Sequence, residues 1–404
     1  MIALAIFVSL VFLYSVASHR LQQTVFTAPI IFTVAGMLLY RLIPEFMRLG
    51  VNSGVFLRLA EIGLVLLLFT DACRTDMRLL SKIENLPARL LTAGLALTIL
   101  LGGVAARVVF PHLSLWEAGI LGTILAPTDA GLGQIIVESE RVPIRIRQAL
   151  NVEAGLNDGI VVPFLLFFMA LADAQVEGGA ASLMKFVLEQ LGIGALAGAA
   201  IGLLGGYLLE LSGRREWVAG SFQKIGLVAL PFLCLLVSEM LDASMFIAAF
   251  VAGWAVQVRF KEAGRHTIEL AEEWGQLSNL AVFFLFGMIV VQNFPPFVSS
   301  AWLYAVISLT LVRMVPVAVA LAGTRLSPAS MIFMGWFGPR GLASIVLGLV
   351  YLAQELHLPG EPTIRLVVVA SVLLSIFAHG LSALPGISLY SRRLARLPST
   401  APEF

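Results

Sequence analysis

Charge is what this chain lacks most. Asp, Glu, Lys and Arg make up only 13% of its 404 residues, and 26 basic against 25 acidic groups leave a net charge of +1. That balance argues against a nucleic-acid partner, which calls for a basic face. Cysteine is nearly absent as well. Cys73 and Cys234 lie far apart, in or near apolar segments. Two such thiols build neither a disulfide framework nor a thiolate metal site, and they read as inert buried groups. Catalytic signatures are also missing. The sequence has no Gly-x-Ser-x-Gly, no His-Glu-x-x-His and no Gly-x-Gly-Asp, so an intramembrane hydrolase is a distant alternative. No cofactor is expected.

What the chain has in abundance is apolar sequence. It is 59% hydrophobic, and runs of about 18 or more apolar residues recur from end to end, the pattern of an all-α polytopic membrane protein. The runs lack the alternation of a transmembrane β-barrel. Thirteen spans are predicted, over residues 2–18, 25–41, 55–72, 88–110, 116–139, 146–172, 182–211, 221–241, 244–258, 273–293, 299–323, 329–354 and 363–385. The first run has no basic segment before it and reads as a retained helix rather than a signal peptide. Residues 1–385 form one transmembrane domain, followed by a short cytoplasmic tail at 386–404.

Basic residues test the count. Eighteen of the 26 Lys and Arg fall in loops on one side, among them Arg74, Arg78, Arg141, Arg214 and Arg392; four fall on the other, Arg41, Arg48, Arg107 and Lys185. This bias predicts the N-terminus outside and the C-terminus in the cytoplasm.

Two spans are interrupted. The fifth carries Ala126-Pro127-Thr128-Asp129-Ala130-Gly131 and the twelfth carries Gly338-Pro339-Arg340-Gly341. With the seventh span as a linker, these are the fifth members of two six-helix halves related as an inverted repeat. Broken spans at matching positions point to a transport site. Asp129, Asp158, Arg313 and Arg340 all lie about 11 to 14 residues into their spans, near one depth. A carboxylate there costs roughly 3 kcal/mol on insertion scales, so each needs a partner or water and a function. Glu61 in the third span either lines a funnel or pairs with Arg58 or Arg89. Ser278 and Asn279 either line the pathway or bond between helices. His379 is either a pH sensor or a satisfied packing residue.

With Thr128-Asp129, Glu153-x-x-x-Asn157-Asp158, Arg313 and Gly338-Pro339-Arg340-Gly341, the chain resembles the electroneutral sodium/proton antiporters of the monovalent cation:proton antiporter-1 family. That family includes prokaryotic antiporters and the animal sodium/proton exchangers. The resemblance covers the whole membrane domain. It implies crossed, unwound fifth and twelfth helices, a homodimer in the lipid bilayer of a prokaryotic plasma (inner) membrane, and a moving core against a dimer scaffold. The core is expected within 55–172 and, in part, 273–385. It also implies a site where Na+, with Li+ as a further substrate and K+ as the alternative, competes with a proton. Asp158, Asp129 and Thr128 are the expected Na+ ligands, Asn157 is close by, and Glu153 pairs with Arg313. Ala154 and Ala130 depart from the family pattern. So does Thr70-Asp71, where relatives carry a glutamate, and Asp71 or Thr70 is expected to substitute for it. Because Asn157 is an amide, Asp158 alone carries the proton, and exchange should be one cation for one proton.

Overall fold

The computed structural model describes residues 2–21, 24–43, 53–74, 86–177, 188–259, 265–294, 296, 299–354, 356–398 and 401–403. The start of the predicted seventh span, and loop residues Arg48, Arg78, Lys82, Lys185 and Lys261, lie outside these. Among the described residues the regular structure is all helical. The helices are α1 Ile2–Leu21, α2 Ala28–Leu42, α3 Ser53–Arg74, α4 Leu86–Val109, α5 Leu115–Ile124, α6 Ala130–Glu138 and α7 Ile144–Glu177. They continue with α8 Glu189–Arg214, α9 Gly220–Met240, α10 Met245–Arg259, α11 Arg265–Gln292, α12 Ser300–Ala320, α13 Pro328–Trp336, α14 Leu342–Ala353 and α15 Glu361–Leu394. Among the described residues, eight helices are long and apolar enough to cross a membrane, and shorter apolar helices accompany them. Each of the thirteen predicted spans overlaps at least one of the described helices.

Local chemistry sets the ends that matter. α5 opens with a capping box: Ser114 Oγ accepts from Glu117 N, and the Glu117 carboxylate accepts from Ser114 N. Both partners satisfy N–H groups that have no carbonyl within the first turn. The helix stops just before Pro127, which has no N–H to extend it. α13 starts with Ser327 as cap and Pro328 in the first turn, where a missing N–H costs nothing. α12 is also irregular. Its dihedrals break at Thr310, so it runs as Ser300–Leu309 and Leu311–Ala320, with Pro316 in the second piece.

The helices pack as two sets. α8 lies along α10, α2 along α11, and α3 against both α10 and α11. In the other set α4 packs on α5, α5 on α7, the first part of α12 on α15, and its second part on α13. Small residues permit the closest approaches. A Cβ on Gly198 would lie 2.2 Å from the Ala248 carbonyl oxygen, and one on Gly287 would lie 2.0 Å from that of Thr33. Without a hydrophobic drive between helices in lipid, such backbone contact supplies the van der Waals attraction.

The sequence places 55–172 and, in part, 273–385 with the core; in the structure α3 and α11 pack chiefly on α10, α2 and each other. The last helix does not stop at 385. It continues to Leu394, because Ile387, Tyr390 and Leu394 remain buried against α13 and its neighbours. Tyr390 stacks on Phe333 at 4.1 Å. Pro385 within the helix does not end it, since this buried apolar face continues beyond the kink position.

Candidate functional site

The breaks in the fifth and twelfth spans cross, and hydrogen bonds tie them together. Asp129 caps α6, accepting from Leu132 N at 2.8 Å through one carboxylate oxygen. Its other oxygen accepts from Leu342 N, the first residue of α14, at 2.6 Å. The Asp129 N–H donates to the Pro339 carbonyl at 2.8 Å. One residue therefore terminates two half-helices, with its negative charge at both positive N-terminal ends. Gly341 must be small for this. A Cβ there would sit 2.1 Å from Asp129 Oδ2.

Arg340 serves the opposite ends. It is fully buried, and its Nη1 donates to the carbonyls of Ala126 at 2.5 Å and Pro127 at 3.1 Å. These carbonyls follow the C-terminal end of α5, where cationic charge is favourable. Its backbone N–H donates to Ser375 Oγ at 2.6 Å. Ser375 and His379 sit one turn apart on α15, at 3.1 Å, and His379 Nε2 meets the Trp336 carbonyl at 2.8 Å. A neutral ring satisfies this chain if Ser375 Oγ–H donates to Nδ1 and Nε2–H donates to Trp336. Of the two sequence readings for His379, the geometry shows a satisfied packing residue. Sequence reasoning missed Ser375. Its only signal is the spacing of four between Ser375 and His379.

Glu153 and Arg313 form a bidentate pair at 2.5 and 2.9 Å, with their side chains only 3% and 4% exposed. The pair joins α7 to α12 just beyond the Thr310 break. Gly338 makes room for it, since a Cβ there would lie 2.2 Å from Arg313 Nε.

Asp158, Asp129 and Asp71 line one cavity of about 550 Å³, together with Thr70 and Asn279. The Asp71 carboxyl carbon lies 3.4 Å from the Cβ position of Gly155, one turn before Asp158. Asp158 is buried, and its Oδ1 has no hydrogen-bond partner among the described residues. The same holds for Asn157 Oδ1 and Asn279 Oδ1. Orphaned buried oxygens of this kind call for a ligand or water. Thr128 and Asn157 sit differently from a simple ligand pair. Asn157 Nδ2 donates to Thr128 Oγ1 at 2.7 Å, which fixes α7 to the break. Asn279, from α11, adds an oxygen that sequence reasoning left between pathway and packing.

An anionic cavity at the crossing of two broken helices, with a buried ion pair on a neighbouring turn, defines the class: an integral membrane protein of transporter type. The family described as "Sodium/hydrogen exchanger, transmembrane" matches residues 5–385, and the chain belongs to it. Among relatives, the "K(+)/H(+) antiporter NhaP" of Alkalimonas amylolytica is 25% identical over 301 residues, 74% of this chain and 51% of its own. The "Na(+)/H(+) antiporter" of Schizosaccharomyces pombe is 27% identical over 274 residues, 63% of this chain and 58% of its own. The chain thus spans roughly half the length of these two relatives. The sodium proton antiporter MjNhaP1 of Methanocaldococcus jannaschii shares the fold, with a TM-score of 0.71 at 17% identity over 94% of this chain and 99% of that one.

Proposed function

We propose that this protein is a secondary antiporter that exchanges a monovalent cation for a proton at Asp158. The observation that carries the reading is the buried Asp158 carboxylate, with an unpartnered oxygen in a cavity shared with Asp129 and Asp71. A hard monovalent cation takes oxygen ligands. Asp158 and Asp129 offer carboxylate oxygens, Thr128 a hydroxyl or carbonyl, and Asp71 a further carboxylate from the facing helix. A proton on Asp158 removes the charge that the cation needs, so the two compete for one group. Asn157 carries no proton, and Glu153 is paired with Arg313. One cation then exchanges for one proton, without net charge movement.

The packing supports a reading of alternation. The body of α4–α7 and α12–α15 carries the crossing, Asp158 and the Glu153–Arg313 pair. It slides as a unit against the scaffold of α1–α3 and α8–α11, which carries Asp71 and Asn279. The proposal includes thirteen crossings, an outside N-terminus, a cytoplasmic C-terminus, and a homodimer in a prokaryotic plasma membrane. Na+ is the first substrate assigned and Li+ the second. K+ is the competing reading, supported by the potassium/proton name of the Alkalimonas relative.

The test is fluorescence dequenching of a pH probe in reconstituted vesicles, scanned over Na+, Li+ and K+. Wild type should give cation-dependent proton flux. The Asp158→Asn variant should elute as a folded protein and give none. Substantial flux from that variant would move the proton carrier elsewhere, with Asp129 first in line.

A further inference from the structure

A second anionic cavity, about 530 Å³, lies on the far side of Asp158 from the first. Two of the helices that line both cavities show this. Along α3, Leu67, Thr70 and Asp71 face the first cavity, while Arg58 and Glu61 face the second. Glu61 and Asp71 are ten residues apart, roughly 15 Å on a helix. Along α7, Asn151, Ala154 and Asp158 face the first cavity, and Val162, Leu165 and Leu166 face the second. The residues between are Gly159 to Val161, and the Phe250 ring is packed on Gly159. A Cβ at 159 would meet that ring at 2.4 Å. Between the two cavities, next to Asp158, an aromatic ring of α10 thus packs on the backbone of α7.

Its polar lining is unbalanced. Glu61, Glu239 and Asp242 contribute three carboxylates against the single guanidinium of Arg58. Arg58 Nη1 bonds both Glu61 Oε2, at 3.3 Å, and Glu239 Oε1. Glu61 is itself buried in the apolar wall. Ser238 also lines the cavity. It is completely buried, and its hydroxyl has no partner among the described residues, although a helical serine readily bonds back to its own helix. An unused hydroxyl thus lies beside carboxylates held by one cationic side chain, Arg58. Low-dielectric walls focus the field of the acidic groups on the mouth.

We propose that this vestibule is a distal cation site on the exchange route. Glu61, Glu239 and Ser238 Oγ hold a partly hydrated monovalent cation in place of the Arg58 guanidinium, before the Phe250–Gly159 contact opens toward Asp158. The assignment rests on the antiport reading above, and it names residues that take no part in the Asp158 site.

The experiment is one-sided titration of Na+ and of K+ in reconstituted vesicles of sorted orientation. Glu61→Gln should raise the KM at the Arg58 face about fivefold, the concentrating effect of one unit charge in a half-screened mouth. Ser238→Ala should shift it the same way. Arg58→Gln should lower it, because two carboxylates lose their competitor. KM at the Asp71 face should not move. A purely structural latch between α3 and α9 predicts that Glu61→Gln and Arg58→Gln act in the same direction, on turnover alone, and that result would overturn the site. Equal KM shifts at both faces would overturn it as well. Glu239→Gln, at a more exposed position, repeats the test if Glu61→Gln does not fold. Absence of any cation-coupled proton flux in wild type would sink the antiport reading instead. The distal site then stands on thallium(I) binding to the Asp158→Asn chain in detergent. One remaining bound ion, lost in Asp158→Asn/Glu61→Gln, supports it, and no remaining ion contradicts it.

Discussion

Asp129 shows how much one side chain does here. Its carboxylate caps α6, its second oxygen caps α14, and its N–H holds the Pro339 carbonyl. Gly341→Ala should therefore displace it without touching Asp158. Cation-driven proton flux should fall at least about tenfold, the effect of a roughly 1 Å misplacement at a site. Wild-type rates from that variant would mean that the cap is dispensable. Glu153 and Arg313 give a second prediction at this scale. Each single change to Gln leaves a buried charge uncompensated and should cost about 3–5 kcal/mol, more than Asp158→Asn, while the double change recovers part of it. Detergent melting of wild type, the two single variants, the double variant and Asp158→Asn checks this, and simple additivity would contradict it. These charges were legible in the sequence because isolated charges in apolar spans stand out and share a depth. The role of Arg340 was not. Its partners are carbonyls freed by a helix break, and they become visible only once the two breaks are seen to cross. The bond between Asn157 and Thr128 was hidden for the same reason.

At the scale of elements, helix existence was legible and helix ends were not. Hydropathy marks each apolar run, whereas an end depends on what the neighbours bury. α15 is the clear case, since its last turns are held by Phe333 and other residues of a distant helix. The segment beyond it also docks. Glu403 is buried, and its Oε1 accepts from Ser327 N at 2.7 Å and from Ser330 Oγ at 2.8 Å, capping α13. Arg145, at the start of α7, bonds the neighbouring Pro402 carbonyl. Burial works against the charge of Glu403, but the hydrogen bonds from Ser327 and Ser330 outweigh it and hold the carboxyl below its usual range. A depressed folded-state value means that the stabilisation is present above the unfolded-state value and is lost as pH falls through the folded one. Glu403→Gln should accordingly melt lower than wild type near pH 7, and the gap should close as the medium is acidified below the carboxylate range. A gap independent of pH would show that the charge has no part in the cap.

At the scale of the molecule, the sequence gives the crossing but not the division of labour. Two broken spans, four charges and a matched linker position predict a site between inverted halves. Small-residue contacts such as Gly36 on Phe284, Gly198 on Ala248 and Gly253 on Phe69 join α2 to α11, α8 to α10 and α3 to α10. In the proposed division α3 and α11 belong to the scaffold, so the proposed site is shared between two bodies: Asp158 and Asp129 on one, Asp71 and Asn279 on the other. If Asp158 alone trades one cation for one proton, transport carries no net charge. The most direct measurement is the end point of exchange in vesicles holding a fixed sodium gradient, with and without a potential imposed by potassium and valinomycin. The account predicts that net proton flux vanishes when the proton gradient equals the sodium gradient, and that this balance point does not move with voltage. A balance point that shifts with the imposed potential would contradict the single-carboxylate mechanism.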